Sequence, residues 1–258
     1  MKSFIKKVLG NLFNPIAVRI GYQKNVPVEE GTKIGKNELL SNFYDSLHKI
    51  NFPVNHIVDV GANHGTWTRE ALKYFPEAYF SLLEPQGWMK EDIQDLLSVN
   101  NKISFYGVGA GEMEGSFKFT LVERDDSCSF RFSPEEANTN GYKQIDVPVV
   151  TLNGLLKDST IPIPDIIKID AEGLDIEVVK GASNFYGKTE IFMVEAGVMA
   201  SELKNSVLNM VNFMDEIGYK LYDITDINRT QKNNALWLVE LVFVKKNGFI
   251  ATKVITYG

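Results

Sequence analysis

Residues 54–65 read Val-Asn-His-Ile-Val-Asp-Val-Gly-Ala-Asn-His-Gly, and this stretch decides the fold of the 258-residue chain. The β-branched residues within 57–60 are typical of a strand buried on both faces of a parallel sheet. Gly61 and Gly65 follow, and a helical pattern begins at Thr66. Such a turn lets backbone approach a nucleotide-like ligand, because glycine lacks a Cβ and a helix N-terminus has unpaired N–H groups. A tight turn that binds nothing has the same pattern, so downstream residues must decide between the two.

The composition is that of an acidic globular protein. Hydrophobic residues make up 44% of the chain and the net charge is −6, which argues against a general affinity for nucleic-acid backbone. Cys128 is the only cysteine, which excludes an intramolecular disulfide and a zinc site built from several thiolates. The sequence contains no apolar run of about 18 residues, which is the length expected of a membrane-spanning helix. We therefore expect a cytoplasmic protein.

The beginning of the chain differs in charge from the rest. Residues 1–28 contain five basic residues and no acidic one, and 1–20 also carry apolar residues at helical spacing. We interpret 1–35 as a basic amphipathic extension and linker, either packed on the domain or in weak peripheral contact with an anionic membrane through 1–20. Residues 36–258 are expected to form the main domain.

Strand and helix patterns alternate along this domain, which predicts an α/β fold with a parallel sheet and helices on both faces. The predicted strands are 57–60, 79–83, 103–106, 165–169, 191–194, 219–224 and 235–244. The predicted helices are 37–50, 66–75, 88–99, 207–217 and a short one ending at 180.

Residues 112–150 break this rhythm. Apolar and polar residues alternate over 116–122, which indicates a strand with one solvated face, and a further strand is predicted over 145–152. Between them, 123–142 is polar and is interpreted as a functional or mobile loop. We expect an insertion that supplies an acceptor pocket or a lid.

Acidic residues follow the predicted strands at the carboxyl ends, where ligands bind in such sheets. They are Asp59, Glu84, Asp170, Glu172 and Glu195. Glu84 lies 23 residues after Gly61, a spacing that suits a carboxylate accepting the hydroxyls of a bound ribose. An NAD site would normally show Gly-x-Gly-x-x-Gly, which the 61–65 turn lacks. A site without a pyrophosphate cradle suits S-adenosylmethionine better.

Six short blocks of the sequence, taken in order, form one further pattern. They are the turn at 59–65, Glu84-Pro85, Val-Pro-Val-Val-Thr-Leu at 147–152, Ile-Lys-Ile-Asp-Ala-Glu-Gly at 167–173, Lys-Gly-Ala at 180–182 and Val-Glu at 194–195. Over 54–244 the chain resembles the FkbM family of S-adenosylmethionine-dependent methyltransferases. The resemblance implies a seven-stranded Rossmann-like methyltransferase sheet, mostly parallel with the last strand antiparallel, and O-methylation of a sugar, glycan or secondary metabolite. Asn153 replaces an aspartate frequent in the family, and we expect it to cap a helix equally well.

The resemblance and the position of the acids at the strand ends together predict which residues bind the cofactor and which could take part in catalysis. The expected cofactor-binding residues are Asp59, Gly61, Ala62, Asn63, Gly65, Glu84, Pro85, Val108 and Asp170. In this assignment Gly61 and Gly65 line the amino-acid portion of the cofactor, Glu84 binds the ribose and backbone near Val108 meets the adenine. Asp59 orders the turn or holds the ammonium through water.

The candidate catalytic residues are His64, Lys168, Asp170, Glu172 and Glu195. A carboxylate among them could accept the proton of the acceptor hydroxyl, particularly where neighbouring acids raise its pKa. The same acids could instead hold Mg²⁺ or Mn²⁺, and no residue is assigned as a metal ligand. For Lys168, a structural role that neutralises Asp170 is equally open.

Other functions remain as alternatives at this point. An RNA ribose 2′-O-methyltransferase agrees with Lys168 and Asp170, but the acidic net charge disfavours nucleic acid. A non-catalytic scaffold with the same fold and an NAD-linked oxidoreductase are the others. The expected partner is a small-molecule or glycan acceptor, and the sequence predicts no oligomeric state.

Overall fold

A computed structural model describes residues 37–157, 160–199 and 204–253, so the interpretation of 1–35 and its membrane contact lies outside the described residues. The strands are β1 (His56–Val60), β2 (Tyr79–Leu83), β3 (Ile103–Tyr106), β4 (Gly109–Ala110), β5 (Gly115–Leu121), β6 (Lys143–Val150), β7 (Ile166–Ile169), β8 (Ile191–Gly197), β9 (Tyr219–Arg229) and β10 (Leu236–Lys245). The α-helices are α1 (Glu38–Lys49), α2 (Thr66–Tyr74), α3 (Gln94–Val99), α4 (Pro134–Thr139), α5 (Leu152–Leu155), α6 (Asp175–Lys180), α7 (Val207–Glu216) and α8 (Phe249–Lys253). Within these ranges, none of the helices has the length and apolar character needed to cross a membrane.

The main sheet has seven strands in the order β3-β2-β1-β7-β8-β10-β9. β1 pairs in parallel with β2 on one side and β7 on the other, whereas β10 pairs antiparallel with both β8 and β9. The predicted mostly parallel sheet with its last strand antiparallel is therefore confirmed. Because strand order reverses at β1, the carboxyl ends of β1 and β7 border a crevice.

Burial on both faces explains the composition of β1. Ile57 belongs to a core cluster that includes Phe43 and Leu47 of α1, and Val58 belongs to a second cluster that includes Met210 of α7. All five of these side chains are fully buried. Alternate residues of one strand thus pack against helices on opposite faces, which fixes the direction in which the strand end points.

The predicted insertion contributes β5 and β6 to a second sheet of three strands in the order β4-β6-β5, whose short strand β4 precedes the insertion. β5 and β6 pair antiparallel, with Phe117 opposite Val147. The interpretation of 123–142 as a loop is wrong in part, because α4 lies within it. Ser133 and Glu136 form a capping box there, in which each side chain accepts the backbone N–H of the other residue.

Two other local predictions are also wrong. The helix expected over 88–99 is divided into a 3₁₀ turn (Gly87–Glu91) and α3, because Ile93 leaves helical geometry with φ −113° and its side chain is fully buried. Asn153 does not cap α5, since the Thr151 side chain accepts the Gly154 N–H at 2.9 Å. Asn153 instead bonds Ser183 and residue 184.

Candidate functional site

The chain turns sharply after β1, and Gly61 makes this turn possible. Gly61 has φ 77°, and a Cβ added to it would lie 2.0 Å from the backbone oxygen of Asp170. The Asp170 N–H in turn donates to the carbonyl of Val60 at 3.0 Å. The ends of β1 and β7 therefore touch through backbone alone, an approach that only glycine allows.

Glu84 connects this turn to the end of β2. Its carboxylate accepts the N–H of Asn63 and the N–H of Gln86, both at 2.9 Å, although the residue is only 3% exposed. Burial raises the pKa of Glu84, while the two backbone donors act in the opposite direction. The site thus holds a buried carboxylate whose remaining lone pairs are available to a ligand.

Two further acids follow β7. Asp170 is partly exposed, and Glu172 adopts a left-handed backbone conformation with φ 51°. Burial, followed by the nearby charge of Asp170, raises the pKa of Glu172 to about 7. Near neutral pH, Glu172 is therefore divided between its charged and neutral forms.

The Asp175 side chain is hydrogen-bonded to the backbone of 171–173, the segment that carries Glu172. It is fully buried, and its carboxylate accepts the N–H groups of Ala171 and Gly173 at 3.4 and 3.3 Å. Asn205 Nδ2 also donates to Asp175 at 2.7 Å. Burial, together with the charge of Asp170, raises the pKa of Asp175 to about 8. The contacts hold 171–173 in the conformation that presents Glu172.

Lys168 lies under the site between two carboxylates. Its Nζ is 3.5 Å from Asp59 Oδ1 and 3.4 Å from Asp170 Oδ2, and Asp59 also accepts the Thr68 hydroxyl at 2.6 Å. Both Lys168 and Asp59 are buried, and the carboxylates raise the pKa of Lys168 against the effect of burial. The lysine is thereby kept charged and neutralises the acids beneath the site.

Glu195 and Glu240 form a half-buried acidic pair next to this lysine. They lie directly opposite each other on β8 and β10. The Thr225 hydroxyl donates to Glu240 at 2.5 Å. Burial raises the pKa of both groups, and for Glu195 the charge of Asp170 adds to that effect.

A cleft lies at the carboxyl ends of β1, β2 and β7 and contains about 640 Å³ of space, including the part open to solvent. One side, here called the core wall, is formed by residues of 60–63, 83–86 and 170–174. The other side, here called the insertion wall, is formed by residues of 125–130, with Val108, Ala110 and Phe119 adjacent.

The residues expected at the site divide into two groups. Those that line the cleft are Gly61, Asn63, Glu84, Pro85, Val108, Asp170 and Glu172. Those placed behind or beside it are Asp59, Ala62, His64, Gly65, Lys168 and Glu195. Gly65 begins α2 at φ 74°, and a Cβ there would meet Ile93 at 2.7 Å. Ala62 is buried in the core cluster under α1 and α2.

Several lining residues were missed by the sequence analysis. They are Gln86, Ala110, Phe119, Asp125, Asp126, Cys128, Phe130, Ala171 and Leu174, whereas Ser129 lies in the loop that was expected to contact the acceptor. Those from the insertion carry no local signal, because only the path of the loop brings them to the cleft. Asp175 lies outside the lining but had a readable signal, since it follows Glu172 by three residues in the acid-rich block 170–177.

A divalent metal receives no support from the side-chain arrangement. In the part of the chain that the structure describes, no three or more His, Cys, Asp or Glu residues are grouped so that they could hold a metal ion.

Comparison with known proteins gives one family match. The methyltransferase FkbM domain matches residues 59–221. A search of curated protein sequences gave no match. 

Solved structures with similar folds include the methyltransferase FkbM from Methylobacillus flagellatus, with 16% identity, a TM-score of 0.48, and coverage of 73% of this chain and 43% of that chain. They also include the N-methyltransferase NodS from Bradyrhizobium japonicum, with 10% identity, a TM-score of 0.44, and coverage of 81% and 97%. A third is TrmK from M. capricolum in complex with S-adenosylhomocysteine, with 12% identity, a TM-score of 0.42, and coverage of 78% and 68%. The chain thus spans less than half of the length of the Methylobacillus protein.

Proposed function

Because the chain belongs to the FkbM methyltransferase family, we propose that it transfers a methyl group from S-adenosylmethionine to a hydroxyl of a sugar, glycan or secondary metabolite. One observation carries the proposal of O-methylation. Glu172, whose pKa is raised to about 7, lines the same cleft as Gly61 and Glu84. A proton acceptor and the expected cofactor residues therefore share one cavity.

The residues of the core wall fit S-adenosylmethionine. Gly61 lines the cleft where the ends of β1 and β7 meet, so a bound ligand would face backbone there. Glu84 is a buried carboxylate able to accept ribose hydroxyls, and Asp170 adds negative charge that favours a cation. When bound, the cofactor supplies a methyl group on a positively charged sulfur.

Glu172 provides the proton chemistry in this proposal. A hydroxyl is a weak nucleophile, and removal of its proton during methyl transfer assists the displacement. A carboxyl with a pKa near 7 has enough basicity for this role and is still substantially ionised at neutral pH. The Asp175 contacts keep the 171–173 backbone in place, so that the carboxylate is oriented before the acceptor arrives.

The charge of the cleft favours an acceptor without phosphates. Five acids line it, namely Glu84, Asp125, Asp126, Asp170 and Glu172, and the described lining includes neither lysine nor arginine. A phosphodiester would be repelled by these carboxylates, whereas a polyol can donate hydrogen bonds to them. This supports a sugar-like acceptor over an RNA ribose.

Calorimetric titration with S-adenosylhomocysteine, with NAD as the control, tests the cofactor. We expect binding of the former alone. A panel of free and glycosylated sugars, assayed with isotope-labelled S-adenosylmethionine, then tests the acceptor, and alkali-stable labelling of a sugar without an amino group would identify an ether methyl. Binding of neither compound by folded protein would reject the proposal and favour the scaffold. Labelling of amines alone would reject O-methylation.

A further inference from the structure

The insertion wall is joined to the rest of the cleft through Asp125. The Nε2 atom of His64 lies 2.9 Å from Asp125 Oδ2, and His64 Nδ1 lies 2.9 Å from Asp92 Oδ2. Gln86 Nε2 donates to the backbone oxygen of Asp125 at 2.9 Å. His64 follows the glycine turn of β1 and Gln86 follows Glu84, so both contacts begin next to expected cofactor residues.

We infer that His64 and Gln86 are positioning residues that hold Asp125, and with it the insertion wall, over the cofactor cleft. Release of these contacts would open the wall and allow cofactor exchange. The identity of the exchanged ligand rests on the proposed function, whereas the contact itself does not.

The packing of the insertion supports this inference. Phe119, Cys128 and Val147 form a small apolar cluster of their own, separate from the two clusters of the main sheet. The insertion wall is thus not locked into the main core by burial of its apolar residues. Backbone bonds between Thr120 and Ser129 tie the far end of the wall to β5, and the polar contacts of Asp125 connect its near end to the core wall.

The contact of His64 is also sensitive to pH. Asp92 and Asp125 are the charged groups that face the ring, and a neutral imidazole can donate a hydrogen bond to only one of them. Their hydrogen bonds raise the pKa of His64, that from Asp125 most strongly. The contact is therefore complete below the ordinary histidine pKa and weakens as the pH rises through the raised value.

Cys128 offers a direct probe of opening that requires no ligand. It is the only cysteine in the chain, lies in the insertion wall and is 7% exposed. Burial also raises the pKa of its thiol, which slows its reaction in the closed protein. Because Cys128 lines the cleft as well as packing within the insertion, its reaction with Ellman's reagent should become faster when the wall separates from the core wall.

The first test compares this rate in ligand-free wild type, His64→Ala, Asp125→Ala and the double variant at one pH. Since each exposed ion pair is worth up to about 1 kcal/mol, we expect each single variant to react roughly two- to fivefold faster. The double variant should add little to that increase, because both substitutions remove the same contact. Lys102→Ala, which breaks the remote Lys102–Glu77 pair, is the matched control and should leave the rate unchanged.

The second test measures dissociation of S-adenosylhomocysteine between pH 6 and 9. We expect the wild-type dissociation rate to rise with pH, and His64→Ala to be fast and to lose that rise. Unchanged thiol rates in both single variants, with the folded far-ultraviolet spectrum retained, would overturn the inference. Faster thiol reaction in protein that binds no S-adenosylhomocysteine would support the contact and reject the proposed function instead.

Discussion

The core wall and the insertion wall of the cleft face the same space but are stabilised by different interactions. The core wall consists of strand ends joined by backbone contacts, as between Gly61 and Asp170, over a buried Lys168–Asp59 pair. The insertion wall is held by side-chain contacts, in which His64 and Asp125 are exposed and Gln86 is buried. Packed backbone fixes a geometry, whereas solvent-exposed polar contacts can break and reform at little cost. The core wall is therefore suited to binding a ligand in a fixed geometry. The insertion wall is suited to opening for entry and release of that ligand.

The strongest test of this comparison is Gly61→Ala. The added Cβ would meet the Asp170 backbone at 2.0 Å and sit at positive φ, so we expect a loss of about 4 kcal/mol in the free energy of unfolding. Gly141→Ala is the control, because Gly141 has φ 70° but nothing within 4 Å, and should cost about 1 kcal/mol. Urea unfolding measures both. Equal effects would contradict the backbone contact.

Lys168→Met tests the buried charges beneath the core wall. Its removal leaves Asp59 unpaired at 0% exposure, which should cost about 3 kcal/mol of folding stability. The double variant Asp59→Asn with Lys168→Met should recover part of that loss, since no unpaired charge remains at position 59. Chemical unfolding of the wild type, Lys168→Met and the double variant measures these differences in the free energy of unfolding. No recovery would mean that packing of the lysine stem, and not charge, dominates.

Glu172→Gln addresses the chemical step. In the wild type, the rate of methyl transfer should rise with pH through about 7, because the ionised form of Glu172 is the proposed proton acceptor. The variant should transfer roughly 100-fold more slowly and lose this rise, while S-adenosylhomocysteine affinity changes little. Glu112→Gln, at a surface pair with Lys180, serves as the control. A retained pH profile in Glu172→Gln would remove Glu172 from the mechanism.

Glu84→Gln tests the ribose assignment. The amide keeps the shape of the side chain but weakens charge-assisted hydrogen bonds to a bound diol. We expect S-adenosylhomocysteine affinity to fall by about 2 kcal/mol, or roughly thirtyfold. Calorimetry gives the value directly. Affinity equal to that of the wild type would show that Glu84 only supports the backbone of residues 63 and 86.

Ser133→Ala concerns the insertion and should have the smallest effect. It removes the side-chain acceptor of the α4 capping box, which typically costs about 1 kcal/mol of stability. Because α4 is not among the elements that line the cleft, cofactor affinity should stay the same. A thermal melt and a titration on one sample test both points. A large fall in affinity would indicate that the insertion acts as one rigid unit.

Much of the main sheet was predictable because its signals are local. The β-branched run of β1, the turn at Gly61 and the bounds of β2 follow from residues adjacent in sequence. The capping box of α4 was equally local and was missed because the segment around it is polar. The break between the 3₁₀ turn and α3 near Ile93 could not be predicted from a local pattern, because it depends on burial of that side chain against residues distant in sequence.

The sequence by itself determined the α/β class, the family, the glycine turn and the acids at the strand ends, because each depends on residue type and short spacing. Only the tertiary structure decided which of these side chains share the cleft. Parallel pairing sets Asp59 beside Lys168 beneath the site, although the two are far apart in the chain. The path of the insertion likewise brings Asp125 to His64. Side-chain direction and loop path are set by packing between distant segments, which no local pattern records.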